Sequence, residues 1–203
     1  MARPRTVSDA EILEAARTIF LAQGGSASTS AIAEEVGLSQ AALFKRFGTK
    51  RDLMLAALKP PAQPDFVTLL GEGPDPDRST RDQVAELAES ALRYFRQLVP
   101  RMVVLTSSGL GPEDVIASFE EAPPLVAQRR LAEWLEVAME QGRVRRGDAF
   151  AVANLILAPM HMRAFSAHLL RAPLDDDAAR AWVATVVGSL WAGLAPDSPE
   201  DSP

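Results

Sequence analysis

Four side chains in the first quarter of the chain have the types and spacing to meet a nucleic acid. Gln40, Ala41, Lys45 and Arg46 follow Ser39, a good helix N-cap, and share the side of a helix opposite Leu43, Phe44 and Phe47. An amide that bonds a base edge, a small residue that permits close approach and two cations suit a helix entering a DNA major groove. Leu43, Phe44 and Phe47 recur at helical spacing and are expected to pack on Leu38 and Ile32.

Several short elements have to hold that face. Ser28 or Thr29 supplies the N-cap of a preceding helix whose apolar stripe is Ile32, Ala33 and Val36, and Gly37 ends it where a left-handed backbone costs least. The two helices form a hairpin with a tight turn. Upstream, Ser8 and Glu11 make an S-x-x-E capping box for a helix ending near Gln23 and Gly24, with Ile12, Leu13, Ala16, Ile19 and Phe20 on one face. Three helices are the minimum that closes a small core around the hairpin. Thr49 is the expected N-cap of a fourth helix, which opens at Lys50 and buries Leu53, Met54, Ala57 and Leu58.

The pattern I-L-x-A-A-x-x-x-F-x-x-x-G from Ile12 to Gly24, followed by I-A-x-x-x-G-L-S-x-x-x-L-F-x-x-F-x-T-K-x-x-L from Ile32 to Leu53, resembles the tetracycline-repressor (TetR) family. Fixed spacings combined with specific residue types make this match more selective than a bare helix-turn-helix pattern. The resemblance implies a dimeric, ligand-responsive transcriptional regulator, most often a repressor. It assigns Lys50, at a helix N-terminus, to a phosphate, and Ser28 or Thr29 to the DNA backbone. Two departures stand out. The aromatic residue of the reading helix is Phe44 where the family usually has Tyr, so the ring packs without donating to a phosphate. The loop before Ile32 is about one residue shorter than the common pattern.

The charge distribution agrees only locally. The 203-residue chain is acidic, with a net charge of -6 and a pI near 5.0, which argues against a protein that coats nucleic acid. Within residues 1–59, eight Lys and Arg face six Asp and Glu, leaving +2 there and -8 on the remainder. All three lysines, Lys45, Lys50 and Lys59, lie in that segment. Arg3 and Arg5 precede the first helix in a Pro-containing arm that could enter a minor groove.

With 47% hydrophobic residues the chain can bury a real core. It has no cysteine, so disulfides and thiolate chemistry are excluded. No run approaches the ~20 apolar residues of a membrane span, and the expected location is the bacterial cytoplasm, at the nucleoid.

Pro60, Pro61 and Pro64 break the fourth helix, which places a domain seam at 59–65: a DNA-binding domain over 1–59 and a helical effector-binding and dimerisation domain over 60–203. Helical patterns are expected over 84–99, ended or kinked at Pro100, then 102–105, 113–119, 123–141, 148–171 and 175–194, with no strand pattern competing. The fold class is therefore all-α. The last two helices are apolar over so much of their surface that they must be covered on more than one side. With Ala181, Ala184, Gly188 and Ala192 permitting close approach, 148–171 and 175–194 are expected to pair with their twins in a four-helix homodimer interface. Twofold symmetry would set two reading helices on a palindromic double-stranded DNA operator.

Phe95, Met102, Phe119, Trp134, Met139, Met160, His161 and Phe165 are candidate lining for a cavity that takes a small apolar effector, with plain core packing as the alternative for each. His161 and His168 lie seven apart without a carboxylate or thiol at ligand spacing, so neither a metal nor a cofactor is expected. There is no G-x-S-x-G elbow, phosphate-binding glycine loop or cysteine nucleophile, and an enzyme is not expected. A competing reading is a DNA-anchored interaction protein whose distal domain binds a protein. A filled distal core would favour it, and an open apolar cavity would favour ligand sensing.

Overall fold

The computed structural model describes residues 7–195. Among these it contains ten α-helices and no strand. Among the described residues, the first unit comprises 7–60 together with Pro100–Ser118, and the second comprises Pro61–Val99 together with 119–195.

In the first unit, α1 (Asp9–Gln23) begins at a complete capping box, Glu11 N–H donating to the Ser8 hydroxyl and Ser8 N–H donating to the Glu11 carboxylate at 2.8 Å. It packs on α4 (Lys50–Leu58) and α2 (Thr29–Glu35), burying Ile12, Ala16 and Phe20 against Ile32, Leu43, Leu53 and Leu58. Arg17 reinforces the α1 and α4 packing by donating from Nε to the Ala57 carbonyl at 2.9 Å. The turn from α2 to α3 (Gln40–Phe47) depends on Gly37 at φ 71°, which lets Leu38 N–H reach back to the Ala33 carbonyl at 2.8 Å. A Cβ-bearing residue would be strained in that left-handed conformation.

The second unit is built from α5 (Asp65–Thr68), most of α6 (Thr80–Ser107), α8 (Pro123–Glu140), α9 (Ala149–Leu169) and α10 (Asp176–Leu194). Its core joins Phe66, Leu92, Leu131, Trp134, Leu135, Ile156, Met160 and Val183. Asp148 and Asp175 cap α9 and α10 through their carboxylates, the first accepting from Ala151 N–H and the second from Ala178 N–H.

The structure adds to the reading from sequence at two places. Of the two outcomes left open at Pro100, the helix does not end there: α6 spans 28 residues in all, Thr80–Ser107, with the proline inside it. Proline there removes the N–H that would bond the Arg96 carbonyl, but Val99 before it and Val104 and Leu105 after it are buried, and that packing outweighs the lost bond. Residues 100–118, read from sequence as part of the distal domain, pack in the first unit instead. Arg51 ties them there through an ion pair with Asp114 at 2.8 Å and a bond to the Gly109 carbonyl, and Lys59 Nζ donates to the Ser118 carbonyl at 2.7 Å. Gly25 also matters, since a Cβ at that position would stand 2.5 Å from Ser108 Oγ. That segment includes α7 (Pro112–Ile116). Among the described residues no helix is long and apolar enough to cross a membrane.

Candidate nucleic-acid interface and apolar cavity

The outer face of α3 is positioned by its packing face. Leu43 is fully buried, Phe44 and Phe47 are half-buried, and Gln40, Ala41, Lys45 and Arg46 are exposed. Ser39 caps the helix by accepting from Ala42 N–H at 3.2 Å, and Lys45 and Arg46 occupy the last turn, where the helix dipole favours cations.

These side chains differ in how they are held. Gln40 donates from Nε2 to Thr29 Oγ1 at 2.7 Å, which fixes the amide across the hairpin and leaves its carbonyl oxygen for another partner. Thr29 is 7% exposed, so its hydroxyl faces Gln40. Ser28 is exposed at the α2 N-cap and accepts from Ser30 N–H at 3.2 Å. Of the two alternatives left open by the sequence, Ser28 is the one whose side chain faces outward.

Arg46 is engaged within the protein, donating to the Val7 carbonyl at 2.7 Å and pairing with Asp9 at 3.0 Å. Lys50 donates to the Gly25 carbonyl at 2.6 Å, keeping two of its three N–H donors for an outside acceptor. Lys45 has no polar partner among the described residues and presents an unneutralised charge. Arg3 and Arg5 lie outside the described residues. The sequence identified the exposed face but missed the Thr29 to Gln40 bond and the use of Arg46 to bind the start of α1, because both depend on how separate helices meet.

The second unit contains an apolar cavity of about 290 Å³ between α5, α6, α8 and α9, near the small end of the ~300–1,000 Å³ usual for ligand pockets. Phe66, Tyr94, Phe95, Leu157 and His161 form much of its wall, and Gln128 and Asn154 supply amides. Of the eight residues proposed from sequence, Phe95 and His161 line it. Trp134, Met139 and Met160 are buried in the helical core. Phe119 lines a separate open depression with Glu121 and Arg129. Met102 belongs to the first unit, and Phe165 is exposed on α9. Pattern alone could not separate these roles, because a large apolar side chain serves a cavity wall and a filled core equally well. A usable signal was present in Gln128 and Asn154, whose amides interrupt otherwise apolar helix faces, and in Tyr94, the chain's single tyrosine.

Residues 12–57 match the model of the family described as bacterial regulatory proteins, tetR family. No curated protein matches the chain in sequence. Among solved structures, the chain is similar to a flavonoid-responsive regulator, FrrA, at 25% identity and a TM-score of 0.57, covering 92% of this chain and 96% of that one. It shares the fold of a TetR-family transcriptional regulator from Pseudomonas syringae at 19% identity and a TM-score of 0.64, covering 93% and 99% of the two chains. The same fold is found in FadR from Bacillus subtilis, solved with stearoyl-CoA, at 14% identity and a TM-score of 0.65, covering 92% and 99%. Residues 12–57 thus carry the helix-turn-helix domain of the tetR family, and the chain as a whole shares the fold of solved transcriptional regulators that bear the same domain.

Proposed function

We propose that the protein acts as a homodimeric, ligand-responsive repressor on a palindromic operator in the bacterial cytoplasm. The observation that carries this reading is the division of α3 into an inward apolar face and an outward face of Gln40, Ala41 and Lys45. In this reading Gln40 and Lys45 reach base edges from the major groove, with Ala41 permitting close approach and Arg46 holding the reading helix against α1. Lys50 and Ser28 bind phosphates and set the register.

Dimer formation is supported by the apolar surface left on α9 and α10. Phe150, Leu155 and Met162 are each at least half exposed, and Ala181, Ala184 and Ala192 offer small exposed positions on α10. Gly188, also on α10, is half-buried, with the Arg81 guanidinium of α6 close to it. Effector binding is supported by the open cavity, which favours ligand sensing over a distal domain dedicated to a protein partner. FrrA is described as flavonoid-responsive and the Bacillus subtilis FadR structure holds stearoyl-CoA, so small-molecule binding has precedents in this fold.

Selection of bound fragments from a random double-stranded DNA pool tests the reading. Enrichment of a palindrome whose half-sites are centred about one helical turn or a multiple apart is expected. Failure of a folded, dimeric protein to enrich any sequence, with the cavity empty or filled, would overturn it.

A further inference from the structure

Building on the reading of the cavity as the effector site, we infer that its ligand is an uncharged, planar aromatic compound bearing a hydroxyl group. Four rings follow one another along the wall in edge-to-face contact. Phe66 and Tyr94 have centroids 6.0 Å apart, Tyr94 and Phe95 5.5 Å, and Phe95 and His161 5.2 Å, with interplanar angles of 70°, 65° and 63°. Such a series offers alternating ring faces and edges, against which another flat ring is held by the same quadrupolar preference.

No Asp, Glu, Lys or Arg is among the described residues that line the cavity. A carboxylate or phosphate would meet no permanently charged partner there, only the Gln128 and Asn154 amides, the Tyr94 hydroxyl and the His161 imidazole, so an uncharged ligand is favoured. The polar contribution is local. Gln128 Nε2 donates to Asn154 Oδ1, and Asn154 Nδ2 donates to the Phe150 carbonyl at 3.2 Å. Gln128 thereby keeps its carbonyl oxygen and one N–H, and Asn154 keeps a lone pair. A hydroxyl, which donates and accepts through one atom, fits that remainder.

Calorimetric titration of the full chain with 2-naphthol, 2-naphthoate and 1-decanol tests the class without DNA. One 2-naphthol per chain is expected, bound about tenfold or more tightly than 2-naphthoate, and more tightly than the aliphatic alcohol. Equal or tighter binding of 2-naphthoate or 1-decanol, or binding of none of the three at millimolar concentration, would overturn the proposal. The hydroxyl is tested by Gln128→Leu: the preference for 2-naphthol over naphthalene should fall about fivefold while naphthalene still binds. An unchanged preference would overturn that part. Because binding is read without DNA, the two readings separate: preference for an anion removes the ligand class and leaves an effector site, whereas 2-naphthol binding without any change in DNA affinity removes the effector role and leaves the class.

Discussion

In the proposed reading, Thr29 is a buried residue that governs what an exposed neighbour, Gln40, can read. The Thr29 hydroxyl holds the Gln40 amide at 2.7 Å, so if α3 reads bases as proposed, the face that Gln40 would offer is chosen inside the hairpin. Thr29→Val should keep the fold, since the site is buried and the replacement nearly isosteric, yet broaden the selected sequence at the base Gln40 meets. Repeating the DNA selection checks this, and an unchanged preference would show that the bond is irrelevant to readout. The role proposed for Lys50 is the opposite one. Lys50→Ala should weaken binding to all sequences alike and reduce the slope of log affinity against log salt by about 0.9, as expected for one lost phosphate contact. Anisotropy titrations at several salt concentrations measure both effects, and a changed sequence preference at constant salt slope would reverse the assignment.

The helices themselves were legible in the sequence wherever the signal was local. Ser8 with Glu11, Ser39, Thr49, Asp148 and Asp175 all mark helix starts through bonds to backbone N–H groups a few residues away. What was not legible depends on distant contacts. The choice between the two outcomes open at Pro100 and the packing of 100–118 in the first unit go with the burial of Val104, Leu105 and Leu110, which no local pattern reports. The caps also carry a pH dependence. The Thr49 hydroxyl and N–H donate to Asp52 at 2.6 and 2.8 Å and, with Arg51 nearby, hold its carboxyl below the ordinary value. The unfolded chain therefore binds that proton more readily than the folded one, so the contribution to stability is present above the unfolded carboxylate pKa and fades as pH falls through the lowered folded value. Asp52→Asn should lower Tm at neutral pH and flatten this part of the acid limb. A Tm profile parallel to the wild type would contradict the linkage.

At the scale of the whole molecule, a palindromic operator would need two copies of the chain to present two reading helices together. Ala184 is exposed on α10, and Ala184→Glu would set a carboxylate in the proposed interface, where two symmetry-related charges would be desolvated together. Sedimentation should then show a folded monomer, with binding to the selected palindrome reduced by at least about a hundredfold because the second half-site no longer contributes. A dimer that still forms would move the interface elsewhere. The most direct measurement concerns the claim that α3 is the reading surface. Ala41 lies at the centre of its exposed face, so Ala41→Glu leaves the core untouched while placing a negative charge against the DNA. Fluorescence anisotropy with the selected palindrome, on wild-type and Ala41→Glu proteins of equal Tm, should show sequence-specific binding only in the wild type. Equal affinity of the two proteins would contradict the account at its centre.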